Sequence, residues 1–196
     1  MRNQIILLSG TQGSGKTSLQ RALVERLNSY PEEYLKAHPL NFSDPIYQMH
    51  NYCLTLLKNL GIQRGITKDG PLLQMLGTDW ARKTIDEDIW VNTLRGMIEV
   101  VGRAYEKVTD NIVFIVGDCR FKNEFDAFPE ALRVRLQAPK EVRKARCEAW
   151  RENDTHPSEI DLDDYEEKFE LIFNTSKETT DDIAQAVVFV LKGLMK

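Results

Sequence analysis

The stretch that most restricts what this chain can become is LLSGTQGSGKTSL, residues 7 to 19. Gly10, Gly13, Gly15, Lys16 and Thr17 satisfy G-x-x-x-x-G-K-[ST]. The pattern lies between a short apolar run, NQIILLSG, and a segment in which Leu19, Ala22, Leu23 and Leu27 recur at helical spacing. Strand, glycine-rich turn and helix in that order are the context that makes the pattern specific. Glycines let successive backbone N–H groups turn inward, and the helix start adds partial positive charge. Lys16 can reach the outer phosphates of a polyphosphate, and the Thr17 hydroxyl can ligate magnesium. The cradle is expected to run over Gly10, Gly13, Ser14, Gly15, Lys16, Thr17 and Ser18, with a nucleoside triphosphate, ATP, and Mg²⁺ as its occupants.

A parallel α/β domain usually begins this way. At 196 residues with 42% apolar and 29% charged content, one domain over 1–196 is expected. Neither a secretory leader nor a membrane span is visible, so a cytoplasmic location is expected. Cys53, Cys119 and Cys147 are odd in number and widely spaced, which suits reduced thiols better than disulfides or zinc. The formal net charge is -4, yet EIDLDDYEEKFE (159–170) holds seven acids against one lysine, so the remainder is mildly basic at +2. That balance does not suit a binder of long nucleic acid; it suits a small phosphorylated ligand. The acidic run itself reads as a solvated helix face.

Further along, LNFSDPIYQMHNYCLTLLKNLG carries a Ser43 or Asp44 cap, Pro45 in the first turn and Gly61 as a stop, which predicts a helix. The signal breaks up from 65, and a long helix follows from about Asp88 to Lys107, with Ile89, Leu94, Met97, Ile98, Val101 and Tyr105 inward. NIVFIVGDCRF reads as a strand buried on both faces. LRVRLQAP alternates, which predicts a strand with Arg133, Arg135 and Gln137 on a wetter face. KEVRKARCEAWREN predicts a helix, and ELIF and TTDDIAQAVVFVLKGL a last strand and helix.

A magnesium-dependent nucleotide site needs an acid at the end of a buried strand beside the first. Asp118 is the candidate, as metal ligand or water organiser, with Arg120 two residues on to meet a transferring phosphoryl group. Asn123 and Glu124 stand between loop structure and substrate contact. Arg143, Arg146 and Arg151 precede the polar segment DTHPSE, and an arginine lid over about 140–158 would neutralise charge and exclude water. His156 reads as a loop hydrogen-bonding residue. Arg82 could hold an acceptor phosphate bidentately, and an aromatic such as Trp80 or Trp90 could stack on a base, although core packing explains the tryptophans as well.

Taken together, GTQGSGKT, FSDP, LLQMLGTDWAR with DEDIWVNTL, VGDCRFKNE and HPSE resemble the deoxynucleoside monophosphate kinases of bacteriophages, within the P-loop kinase superfamily. The resemblance implies a three-layer α/β fold with a mainly parallel five-stranded sheet in the order 2-3-1-4-5. It implies transfer of the γ-phosphoryl of ATP to a deoxynucleoside monophosphate in host cytoplasm. It also implies an acceptor region over about 42–92 that includes Phe42, Asp44 and the acceptor-phosphate arginine Arg82. The sequence departs from the family in FNTSKETTDD, which lacks the glycine of the loop near the adenine. Two other readings stay open from the residues alone: a kinase of another small metabolite, and an NTP-hydrolysing switch that acts on a protein. A homodimer through a surface such as 88–107 is compatible with the sequence.

Overall fold

The computed structural model describes residues 2–30, 35–62, 68–106, 108–109, 111–147, 150, 152 and 156–195. Five strands form one parallel sheet: β1 (Arg2–Ser9), β2 (Leu35–Leu40), β3 (Asn111–Cys119), β4 (Leu132–Gln137) and β5 (Leu171–Asn174), in the order β2-β3-β1-β4-β5. Helices α1 (Lys16–Asn28), α2 (Asp44–Asn59), α3 (Gly70–Gln74), α4 (Ile89–Tyr105), α5 (Lys122–Asp126), α6 (Lys140–Arg146), α7 (Pro157–Ile160) and α8 (Thr180–Leu194) surround it. A π-helix spans Met75–Ile85 and a 3-10 helix Asp163–Lys168.

Both faces of the sheet are covered, which is why the central strands carry unbroken apolar runs over 5–8 and 112–116. Ile6 and Leu8 of β1 and Val113 and Ile115 of β3 pack beneath α1 and α8, against Leu19, Leu23, Leu27, Ile183 and Val187. The alternate residues Leu7, Ile112, Phe114 and Val116 face the other way, onto Trp90, Leu94 and Ile98 of α4 and onto Phe125 and Phe128. Buried strands read as continuous apolar runs for this reason, and the strand expected to be interior lies between β2 and β1.

β2 has no counterpart in the sequence reading. Lys36, His38 and Pro39 interrupt its apolar run, and Pro39 is tolerated because β2 is an edge strand. The expected wetter face of β4 is also not wet. Arg135 is buried, donates to Ser9 Oγ at 3.1 Å and to Asp163 at 2.9 Å, and lies over the Phe169 ring. Arg133 pairs with Glu170 and covers Phe125. The partners come from the acidic run, whose acids stay largely exposed, as expected, while they also pair with the body of the fold. Asp161 accepts from Lys122 N, Asp163 pairs with Arg135, Glu166 accepts from Gln137 and Glu170 holds Arg133, so the segment is a strap laid over the sheet's polar side chains.

The helix expected over KEVRKARCEAWREN stops at Arg146. Cys147 is extended, and Glu152 folds back onto Lys140 and Lys144 at 3.0 and 2.8 Å. All three cysteines are free. Among the described residues no helix is long and apolar enough to cross a membrane.

Candidate active site

The glycine-rich turn closes over the carboxyl ends of β1 and β4. Gly13 has φ +77°, and a Cβ there would lie 2.6 Å from the Arg143 carbonyl oxygen, so only glycine lets the turn meet α6. Arg143 returns the contact by donating to Gln12 O at 3.1 Å. Gly10, at φ +144°, packs against the Leu136 carbonyl. Lys16 opens α1 and is folded back into the turn, where Nζ donates to Gly10 O at 2.5 Å and Thr11 O at 3.0 Å. Burial, helped by the nearby Arg120 charge, lowers its pKa to about 7.

A cavity of about 760 Å³ begins at this turn. Gly13, Ser14, Gly15, Lys16, Thr17 and Ser18 line one end, and Phe42, Asp44, Arg82 and Trp90 the other. Asp118, Arg120 and Glu124 lie between, and Arg146, His156 and Glu159 complete the wall. Ser14 Oγ is buried with no hydrogen-bond partner, which fits a turn shaped for an anion that would accept from it. Among the described residues no cluster of three or more His, Cys, Asp or Glu could cage a metal. The Thr17 hydroxyl with Asp118 fits magnesium that draws most of its ligands from phosphate and water.

Asp118 is more heavily engaged than a bare metal ligand. Its carboxylate accepts from Phe42 N at 2.8 Å, from Ser43 N at 3.0 Å and from Ser43 Oγ. Burial pushes its pKa up, against these three hydrogen bonds, which favour the ionised form. The acid at the end of β3 thus holds the loop between β2 and α2 in place. Asp44 closes that loop by accepting from Asn41 N at 2.8 Å, and Phe42 packs beneath it against Phe128.

Arg82 lies in the last turn of the π-helix and points inward. It is paired with Glu124, stacked on Phe121 at 4.2 Å, and donates to Glu87 O at 3.0 Å. Glu124 also accepts from Arg120 N at 2.7 Å and Phe121 N at 3.1 Å, and burial pushes its pKa up to about 7. Glu124 lines the cavity and also holds Arg82 and the turn at 120–121. Asn123 does not line the cavity; it ties Arg82 to Asp88, accepting from the first and donating to the second. Trp80 does not line it either and is 43% exposed. Trp90 takes its place, buried, with Nε1 donating to Gly77 O at 2.8 Å.

At the opposite wall Arg146 donates to Thr175 Oγ1 and O at 3.0 and 2.9 Å, so a residue of the stretch that lacks the expected glycine is bonded to a candidate lid arginine. Arg143 is anchored to the glycine-rich turn. Arg151 lies outside the described residues. His156 caps α7, with Nδ1 accepting from Ser158 N at 3.2 Å; burial lowers its pKa and favours the neutral ring this needs. The residues that sequence reasoning missed include Glu159, Gln20 and Lys68. Glu159 was hidden inside the acidic run. Gln20, which donates to Leu40 O and Ile115 O, sits on a helix face where nothing marks it.

A family model described as an AAA domain matches residues 6–170. TT1252 from Thermus thermophilus is 17% identical with 99% of each chain covered and a TM-score of 0.54. The APS kinase CysC of Mycobacterium tuberculosis, solved with AMPPNP and APS, is 12% identical over 97% of this chain and 98% of that one, with a TM-score of 0.53. An unliganded sugar kinase from Janibacter sp. HTCC2649 is 15% identical over 97% and 95%, with a TM-score of 0.50. A search of curated proteins finds no match. At these identities the likeness is one of fold, and that fold is the P-loop kinase architecture.

Proposed function

This chain belongs to the AAA domain family, matched over residues 6–170, and on that premise we propose that it is a phosphotransferase that moves the γ-phosphoryl of ATP to a deoxynucleoside monophosphate. The observation that carries the reading is the continuity of the cavity, from the glycine-rich turn to the buried Arg82 and Trp90. A hydrolase needs only the first end. A kinase needs both, in line.

In this reading the turn's amides and Lys16 hold the triphosphate, with Lys16 exchanging Gly10 O and Thr11 O for phosphate oxygens. Thr17 with Asp118 would hold magnesium, whose positive charge would offset that of the phosphates. Arg82 presents its guanidinium to the acceptor phosphate while Glu124 and Phe121 fix its plane. Asp118 sets the loop that carries Phe42 and Ser43, so the acceptor wall and the metal side share one carboxylate. Arg120 and Arg146 flank the transfer point and supply positive charge where it develops, which is most of what phosphoryl transfer asks of a protein.

The test is ADP formation from ATP and magnesium with each common deoxynucleoside and ribonucleoside monophosphate, a set of sugars and small acids, and a no-acceptor control. Strong stimulation by deoxynucleotides supports the proposal; a response only to sugars or acids moves the acceptor class. That second reading is favoured by the printed names of two fold relatives, a sugar kinase and an APS kinase. A flat panel would sink both.

A further inference from the structure

Six acids of the strap described above have partners on the body of the fold, and five of them lie away from the cavity, Asp164 among them through its ion pair with Lys122. Asp161, Asp163, Glu166 and Glu170 fasten Lys122, Arg135, Gln137 and Arg133 and do not line it. Glu159 does line it. Its carboxylate is ion-paired to Arg120 through one oxygen, and the other accepts from Gln12 N at 2.8 Å. The side chain is 15% exposed and that of Arg120 29%. Arg120 also donates to Ser158 O at 3.2 Å, so its guanidinium is turned toward α7.

Gln12 N is a backbone donor of the phosphate-binding turn, and Arg120 is the cation placed beside the transfer point. A turn amide and an arginine are the two kinds of donor that a phosphoryl group takes at such a site. Glu159 fills both with a single planar anion. We propose that Glu159 is an internal stand-in for the terminal phosphoryl group, a positioning residue that parks Arg120 and caps the turn until the triphosphate displaces it. The proposal rests on the turn holding ATP and not on the identity of the acceptor.

A carboxylate that only fastened α7 would take its partners outside the cavity, as its neighbours in the strap do. Glu159 lies close enough to Lys16 to raise its pKa while Arg120 lowers it, so the same few groups set the field at the turn. When the triphosphate arrives, Arg120 exchanges one anion for another and stays neutralised. The cost falls on Glu159, which must leave the turn, and it falls only when the ligand extends far enough to claim Gln12 N and Arg120. A diphosphate that stops short of the terminal position leaves Glu159 where it is.

The test is calorimetric binding of a non-hydrolysable ATP analogue and of ADP, each with magnesium, to the wild-type chain and to Glu159→Gln and Glu159→Ala. Removing the competing charge should tighten the triphosphate about tenfold, while ADP changes by no more than about twofold, because charge-assisted contacts at the terminal position are the only ones released. An equal change for both ligands, or a weaker triphosphate, overturns the proposal and makes Glu159 a fastening residue. Thermal melting of the ligand-free variants separates loss of fold from loss of selectivity, and the two substitutions must agree. A flat acceptor panel would leave this ratio standing, so the failure of the kinase reading and of this inference are distinguishable.

Discussion

Arg82 and Glu124, forty-two residues apart, are joined as an ion pair with side chains only 8% and 3% exposed. A buried pair is costly to break, because the partner left behind keeps its charge without compensation. Glu124→Ala should cost about 3–5 kcal/mol of stability, measured by urea unfolding, and should raise the acceptor's KM more than that of ATP. A variant as stable as wild type would remove the pair from the framework of the site.

The same pair predicts an acid limb. Glu124 has a pKa of about 7 in the folded chain against an ordinary value of 4.5. The folded state therefore binds a proton that the unfolded state releases between those values. This contribution favours folding fully below about 4.5 and is lost as pH rises through about 7. Acidification below 7 leaves the fold supported at this position but strips Arg82 of its counter-charge. Acceptor KM should therefore rise as pH falls from 8 to 6, while Glu124→Gln should show a high KM at both. A KM flat with pH in the wild type would contradict the assignment.

Lys16 predicts the opposite limb. Its pKa of about 7 is well below the ordinary 10.5, so between those values the unfolded chain holds a proton that the ligand-free fold does not, and stability gained from this group rises across that window. Phosphate in the turn favours the charged lysine again. Nucleotide binding at pH 8.5 should take up about one proton and at pH 6 almost none, read from binding heats in buffers of different ionisation enthalpy. Zero uptake at both would mean that Lys16 stays charged in the empty turn.

Gly13→Ala tests the contact between the turn and α6. The substitution places a Cβ 2.6 Å from Arg143 O at φ +77°. Strain of this kind costs about 1–3 kcal/mol, and relief means moving the turn off α6. ATP affinity should fall by about tenfold or more, with the acceptor's KM little changed; equal loss for both would place the damage in the whole fold.

The sheet was legible because the middle of a strand covered on both faces must be apolar, and β1 and β3 carry such runs over 5–8 and 112–116. β2 was illegible because an edge strand tolerates Lys36, His38 and Pro39. In the site, the turn announced itself through glycines that no other residue can replace. The roles of Glu124, Asp118 and Glu159 could not be read, since a carboxylate's function depends on which donors the fold brings to it. Each of these meets donors at least three residues away, and for Asp118 and Glu159 the partners come from distant segments. Trp80 and Trp90 could not be told apart for the same reason: Trp80 lies in the interrupted segment, which forms the π-helix, and Trp90 at the start of α4, where Nε1 reaches Gly77 O.

Asp118 joins the two halves of the site, and Ser43 shows how to separate them. Ser43→Ala removes the hydroxyl donor to Asp118 while Phe42 N and Ser43 N remain. The loop between β2 and α2 should then be held less firmly on the acceptor side alone. Acceptor KM should rise about threefold to tenfold, as loss of one hydrogen bond to a charged group implies, with the KM for ATP unchanged. Asp118→Asn keeps one carbonyl acceptor for the loop but loses the charge beside the metal position, so its kcat should fall about a hundredfold. If Ser43→Ala instead raises the KM for ATP and leaves the acceptor's alone, the loop belongs to the nucleotide side, and Asp118 has no part in placing the acceptor.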